Sequence, residues 1–288
     1  MRLFVALLTL GMLAYLGCGG SATVTTSEPV KLEYSSLGGT TFPYKMSYSV
    51  TMNIEGSTDT WVSDITYVAK VDTIDPEGSI IRRLTFDSFS ITRYSGAAPA
   101  PDPDAAGYKN QYLWLKVGPD GRVADWKGLD GIKSYTSEGR SLTDVLVTQM
   151  TLLYQPLPKD PVTVGSTWQN NLEMPVTMRG SEFKQTVSAN YEVTGFGQKS
   201  GRTCAKVHLT TTAKVEGSGM RGADRQFWVE SSAAGKGELW FDYANGLPVE
   251  FTLRLTRDQV MRYERAGKED VATEASTIDS EVKIKLVQ

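Results

Sequence analysis

From Tyr44 to Glu55 the even positions are apolar (Tyr44, Met46, Tyr48, Val50, Met52, Ile54) and the odd ones polar (Lys45, Ser47, Ser49, Thr51, Asn53, Glu55). A period of two over twelve residues predicts a strand with one wet face. The alternation resumes at Trp61, Ile65, Tyr67, Ala69 and Val71, and Glu55-Gly56-Ser57-Thr58 between the two runs predicts a hairpin turn. In Ile80 to Tyr94 the apolar set moves from even positions (Ile80, Leu84, Phe86) to odd ones (Phe89, Ile91). Both halves face one core only if a β-bulge lies near Asp87-Ser88. One segment has helical period: Leu142, Val145, Leu146, Met150 and Leu153 form a stripe that Gln149 interrupts. Ser141 with Asp144 suits its start and Pro156 its stop, so a helix is expected over 141–155. The segment GAAPAPDPDAAG, Gly96 to Gly107, predicts an exposed, semi-extended loop.

Three anchors recur 126 residues apart: Gly39-Thr40-Thr41-Phe42 with Gly165-Ser166-Thr167-Trp168, Val50-Thr51-Met52 with Val176-Thr177-Met178, and Trp114 with Trp240. Any two meanders resemble each other, which is the competing reading, but alternation alone does not fix three offsets at one value. Two similar halves, 39–126 and 165–257, are expected, with the helix in their connection. Long twisted strands with bulges curl, and a helix with one apolar stripe must bury it on a sheet face. The expected fold is mainly β: a curved, half-barrel-like antiparallel sheet with one helix. This arrangement is similar to that of the outer-membrane lipoprotein-carrier superfamily, in which a curved sheet encloses an apolar groove.

The N-terminus predicts an address. Arg2 precedes a 14-residue apolar run, Leu3 to Leu16, which suits a signal peptide and is too short to span a bilayer. The run ends in Tyr15-Leu16-Gly17-Cys18, which resembles a bacterial lipoprotein signal, with Tyr15 and Leu16 in place of the commonest residues. The resemblance implies a signal peptide over 1–17, lipidation of Cys18, and a membrane as partner through the anchor. The residues from Cys18 to Val30 read as a flexible tether to a single β-rich domain over 31–288. Gly19 after the anchor resembles the pattern of outer-membrane sorting, with the side of that membrane left open. A second resemblance lies in Leu157-Pro158-Lys159-Asp160-Pro161-Val162-Thr163-Val164-Gly165-Ser166-Thr167-Trp168, followed by Trp240-Phe241-Asp242 and Gly246-Leu247-Pro248. It is similar to a family of bacterial envelope lipoproteins, and implies localisation and fold type without an activity.

Composition narrows the function classes. Thirty Lys and Arg against 33 Asp and Glu give a net charge of −3, which offers no basic track for nucleic acid. One His and two Cys leave too few N and S ligands for a zinc centre, and Asp102 with Asp104 lacks the further oxygens of a calcium loop. No metal or cofactor is expected. His208 shares a strand face with Cys204, but residues four apart on a strand lie about 13 Å apart, so they form no dyad. The sequence motifs of serine hydrolases, nucleotide-binding loops and zinc proteases are absent, and no catalytic residues are assigned.

Asp242 beside Trp240 is the first place to look for a sugar site, and an exposed Asp leading into the Asn245-Gly246 turn is the simpler reading. Trp114 and Trp240 face away from their apolar strand neighbours and, with Leu146 and Met150 of the helix, are the candidate ligand-binding residues. The expected function is a non-enzymatic, lipid-anchored envelope protein that binds or shields an apolar ligand. The alternatives are a structural or protein-interaction module of the envelope without a cavity, and a carbohydrate-active enzyme.

Overall fold

The computed structural model describes residues 28–34, 38–94, 99–118, 120–129, 142–178, 181–221, 225–264 and 271–287. Its strands are β1 (Thr41–Ile54), β2 (Ser57–Ile74), β3 (Ile80–Tyr94), β4 (Ala100–Pro101), β5 (Tyr112–Val117), β6 (Val123–Gly128), β7 (Thr167–Met178), β8 (Ser181–Lys199), β9 (Arg202–Arg221), β10 (Arg225–Asp242), β11 (Leu247–Glu264) and β12 (Val271–Leu286). They form one open, curved antiparallel sheet in the order β6-β5-β3-β2-β1-β12-β11-β10-β9-β8-β7, with β4 beside β3. Among the described residues the single α-helix is α1 (Leu142–Thr151).

The hairpin expected after Ile54 is a two-residue turn, with Glu55 at φ 47° and Gly56 at φ 83° between the paired Ile54 and Ser57. Two left-handed residues match the twist of the flanking strands. Directly opposed residues share a face, so Tyr44 with Tyr67 and Met46 with Ile65 stack their rows on the buried, inner side. The expected bulge is present: Thr66 faces Ser88 while Tyr67 faces Phe86, leaving Asp87 as the extra residue and turning Phe86 and Phe89 to one core.

Strands β1-β2-β3-β5-β6 form one meander and β7 to β12 another, joined where β1 pairs with β12 from Tyr44↔Leu286 to Ile54↔Ser276. A shift of 126 residues carries Thr41, the first residue of β1, onto Thr167, the first of β7. The same shift sets β2 on β8, β3 on β9, β5 on the end of β10 and β6 on β11. Gly39 and Gly165 hold matching φ values of 83° and 86° before the first strand of each meander. β12 has no counterpart in the first half.

Because β6 and β7 are opposite edges, the connection between them crosses from one side of the sheet to the other and carries α1 with it. Leu157 N–H donates to the Asp120 carbonyl at 3.1 Å, Trp168 Nε1 donates to the Pro156 carbonyl at 2.9 Å, and Val30 pairs with Val162 in both directions at 2.8 and 2.7 Å. Arg122, just before β6, donates through Nη2 to Asn170 Oδ1 of β7 at 2.6 Å, so a side-chain bond links the two edges here. This end of the sheet is closed, whereas at the other end β5 and β6 are too short to reach.

Several expectations are corrected. The helix stops at Thr151, and Leu152 to Tyr154 form a turn. Gln149 is buried, not a gap in the stripe, and Val147 is buried as well, so α1 is enclosed on more than one face. Ala105 of the expected open loop is buried, and so is Tyr108 just after it, edge-on to Phe89 at 4.9 Å, because a 3-10 turn (Pro103–Tyr108) folds the segment back over β3. Val30, placed at the end of the tether, is already docked, and Leu32 and Tyr34 after it are core residues. The leader, Cys18 and Ser141 lie outside the described residues.

Candidate functional site: the concave sheet face

At the closed end the inner rows are fully packed: Met46, Ile65, Leu84, Leu113, Phe251 and Ile284 are all at most 1% exposed. Following the same rows toward the open end, burial loosens and polar side chains enter: Asp59 stands opposite Met52, Arg257 opposite Ile278, and Ser280 between Val50 and Leu255. Val50 and Met52 on β1, Ile278 on β12, Leu255 on β11, Val187 on β8 and Ala213 on β9 are half-buried. Beyond them a second small cluster closes the row: Phe183, Val215, Phe227, Val229 and Met261. The result is a half-buried trough between two packed clusters, lined mainly by apolar side chains with Arg257 and Gln259 among them.

The trough's floor depends on missing side chains. A Cβ on Gly235 would lie 2.5 Å from the Arg254 carbonyl oxygen and 2.6 Å from Leu255 Cδ2, and one on Gly237 would meet Thr252 O at 2.5 Å and Leu209 Cδ2 at 3.0 Å. Leu255 and Leu209 therefore lean across β10, which only glycine permits. Around the trough the fully buried polar residues of this face are Ser63, Ser231 and Ser276. At the rim, Arg93 is neutralised by Asp59 at 2.8 Å and lies 5.4 Å from the Trp61 ring centroid.

Under the helix lies a tyrosine cluster around Arg82, which is 1% exposed, its guanidinium 5.5 Å from the Tyr154 ring and 6.0 Å from that of Tyr34. Tyr44 stacks on Tyr67 at 5.5 Å. Tyr34 donates to the Gln155 carbonyl, Tyr191 to Gln155 Oε1 and Tyr44 to the Pro248 carbonyl, each at 2.9 Å. Burial raises the pKa of Tyr34, Tyr44, Tyr67 and Tyr154, and pushes that of Tyr191 up to about 12. These phenols stay neutral at pH 7 and are far from the range useful for proton transfer there. Arg82 was discernible by position: it stands at an even number between Ile80 and Leu84, within the buried parity of that strand.

The four candidate ligand residues are not brought together. Leu146 and Met150 lie in the closed-end core, 1% and 0% exposed. Trp114 is on the outer face, where its Nε1 donates to Asp72 Oδ2 at 3.0 Å and Lys127 sits 4.7 Å from its ring. Trp240, also on the outer side, is covered by its own chain: Lys199 and Lys206 lie 5.1 and 5.4 Å from its ring and bridge to Glu250 and Glu238 at 2.8 and 2.9 Å. The apolar trough residues, by contrast, escape a search for unusual residues, because nothing in their type distinguishes them from core.

His208 faces outward, opposite Glu192 and Glu238. Asp242 is not exposed as expected but fully buried: it accepts from Arg202 at 2.9 Å and from two backbone N–H groups of the following turn. Cys204 faces Asp242 across β9 and β10 and is a free, buried thiol. Burial, reinforced by the Asp242 charge, pushes its pKa up to about 12. At pH 8 its thiolate fraction is then about 10⁻⁴. Iodoacetamide at that pH is expected to leave the Cys204 peptide unmodified in the native protein and to modify it fully in urea, as read by peptide mass spectrometry.

No family model matches the chain, and no curated protein matches it. Among solved structures, one reporting lipid–protein interactions in lipovitellin is similar with a TM-score of 0.48 at 13% identity; the match covers 88% of this chain, which spans 26% of that one. A DUF1329 family protein from Desulfovibrio piger is matched with a TM-score of 0.17 at 11% identity, over 86% of this chain and 87% of that chain.

Proposed function

We propose that the chain is a non-enzymatic, lipid-anchored protein of the bacterial cell envelope, held at the outer membrane through Cys18, whose concave sheet face binds or shields an apolar ligand such as a lipid acyl chain. The observation that carries the reading is the trough. Val50, Met52, Leu255 and Ile278 remain apolar where the packed core has ended and they are only half-buried. Apolar surface left part-exposed in a concavity is favourable to cover, at about 25 cal/mol per Å². The lipoprotein-like leader and the resemblance of the Leu157–Trp168 segment to envelope lipoproteins support the location. A lipid anchor contributes about 0.8 kcal/mol per buried CH₂.

The test uses the full chain expressed in a bacterial host with labelled fatty acid, followed by native mass spectrometry and titration with a fluorescent apolar probe. Label on the wild type and its loss in Cys18→Ser, together with copurifying lipid or saturable probe binding that Met52→Asp and Ile278→Asp abolish, are the expected results. Label that persists in Cys18→Ser would overturn the anchor. A bound polar product would revive the carbohydrate-active reading. Absence of both lipid and probe binding would favour a structural or protein-interaction module, a second reading supported by the burial of Leu146 and Met150 in the closed-end core.

A further inference from the structure

The outer face of the sheet carries ion pairs: Arg254 with Glu281 and Lys206 with Glu238 across strands, both at 2.9 Å, and Lys116 with Asp75 of the β2–β3 turn at 2.7 Å. Near the open end of β9, β10 and β11 this pattern stops. Glu216 stands directly opposite Glu230, and in the next outward row Ser218, Trp228 and Arg262 are neighbours. Like charges directly opposed destabilise a sheet. Lys184, opposite Glu216 on β8, bridges instead to Glu173 at 2.8 Å. Among the described residues, Glu216, Glu230, Trp228 and Arg262 make no ion pair, ring contact or side-chain hydrogen bond with one another or with a neighbour. Together with Gly217, Ser218, Val229 and Val260 they line an open depression of about 510 Å³. Between Glu216 and Ser218, Gly217 holds φ 153°, a conformation L side chains rarely adopt.

The chemistry of this depression selects among ligand classes. Its charged lining opposes an apolar molecule. Two carboxylates against one guanidinium leave a net negative charge, which opposes an anion. A neutral polyhydroxylated ring meets each group: its C–H face lies on the electron-rich indole face, its hydroxyls donate to the carboxylates, and its oxygens accept from the guanidinium fork. We infer that the outer face carries a glycan-binding site formed by Trp228, Glu216, Glu230 and Arg262. It lies on the opposite side of the same wall from the apolar trough, and it stands or falls independently of the trough's proposed role.

The experiment titrates the full-length protein in mild detergent with maltohexaose, cellohexaose and chitohexaose, read by calorimetry and saturation-transfer NMR. At least one oligosaccharide is expected to bind saturably. Trp228→Ala should weaken it by about ten-fold or more, Trp228→Tyr should retain it within a few-fold, and Glu230→Gln and Arg262→Gln should each weaken it several-fold. The tyrosine variant separates loss of the platform from loss of the fold. Absence of binding of all three sugars up to about 10 mM would overturn the inference. So would binding that Trp228→Ala leaves intact, or displacement of the sugar by tetramethylammonium or spermine, which would identify a cation site.

Discussion

Leu146→Ala and Met150→Ala are each expected to lower the unfolding free energy by about 2 to 5 kcal/mol, measured by urea denaturation of the soluble protein. Both side chains are at most 1% exposed and meet a sheet face already packed with tyrosines and branched aliphatics. How much of the vacated space collapses decides where in the range each falls. The sheet behind α1 is held in a continuous ladder. The segment after the helix is fixed by Tyr34 and Tyr191 on Gln155 and by Trp168 on Pro156. Neither wall can move inward easily, so the cavities should persist and the losses should lie in the upper half of the range. If instead either variant loses less than about 1 kcal/mol and gains binding of an apolar probe, α1 is a lid over a continuous groove and not the plug of the closed end.

This contrast between plug and lid marks the boundary of what was legible in the sequence. The sheet was legible because its period is strict: Tyr44 to Ile54 predicts strand, face and turn together, and the parity change between Phe86 and Phe89 locates the bulge at Asp87. Under a 126-residue shift the strand limits of the two meanders coincide approximately. Pairing of β1 with β12 was not legible, since it joins Tyr44 to Leu286 across almost the whole chain and no local pattern encodes such a partner.

Nor was the crossing of the connection from β6 to β7, which carries the helix across the sheet and follows only from those strands being opposite edges. The loop before Tyr108 was read as open from its prolines, because composition reports backbone stiffness and not where an aromatic side chain will be buried. For the candidate site the limits were chemical. Rare residues attract notice, and Trp114 and Trp240 proved to be occupied by the chain's own lysines, while the trough is lined mostly by Val, Met, Ile and Leu, with Arg257 opposite Ile278.

Asp242→Ala is expected to cost about 3 kcal/mol, and Asp242→Asn roughly half of that. Asp242 ends β10, and its carboxylate organises the turn into β11. Oδ1 accepts from the Ala244 and Asn245 backbone N–H groups at 3.1 and 3.0 Å, and Oδ2 accepts from Asn245 Nδ2 at 2.8 Å and Arg202 Nη1 at 2.9 Å. Alanine strands all four donors. Removing one partner of a buried pair usually costs about 3 to 5 kcal/mol. Here the Arg202 side chain is one-third exposed, so water takes up part of its charge and the lower end of that range applies. Asparagine keeps the Oδ1 acceptor for the backbone but sets an amide N–H₂ against Arg202 and Asn245, which is why its cost is intermediate. Urea denaturation orders the three proteins. Cys204, paired with Asp242 across the strands, supplies a local readout: alkylation of its peptide should be fastest in Asp242→Ala and slowest in the wild type. An alanine variant within about 0.5 kcal/mol of wild type, with Cys204 still protected, would show that the turn holds without its carboxylate.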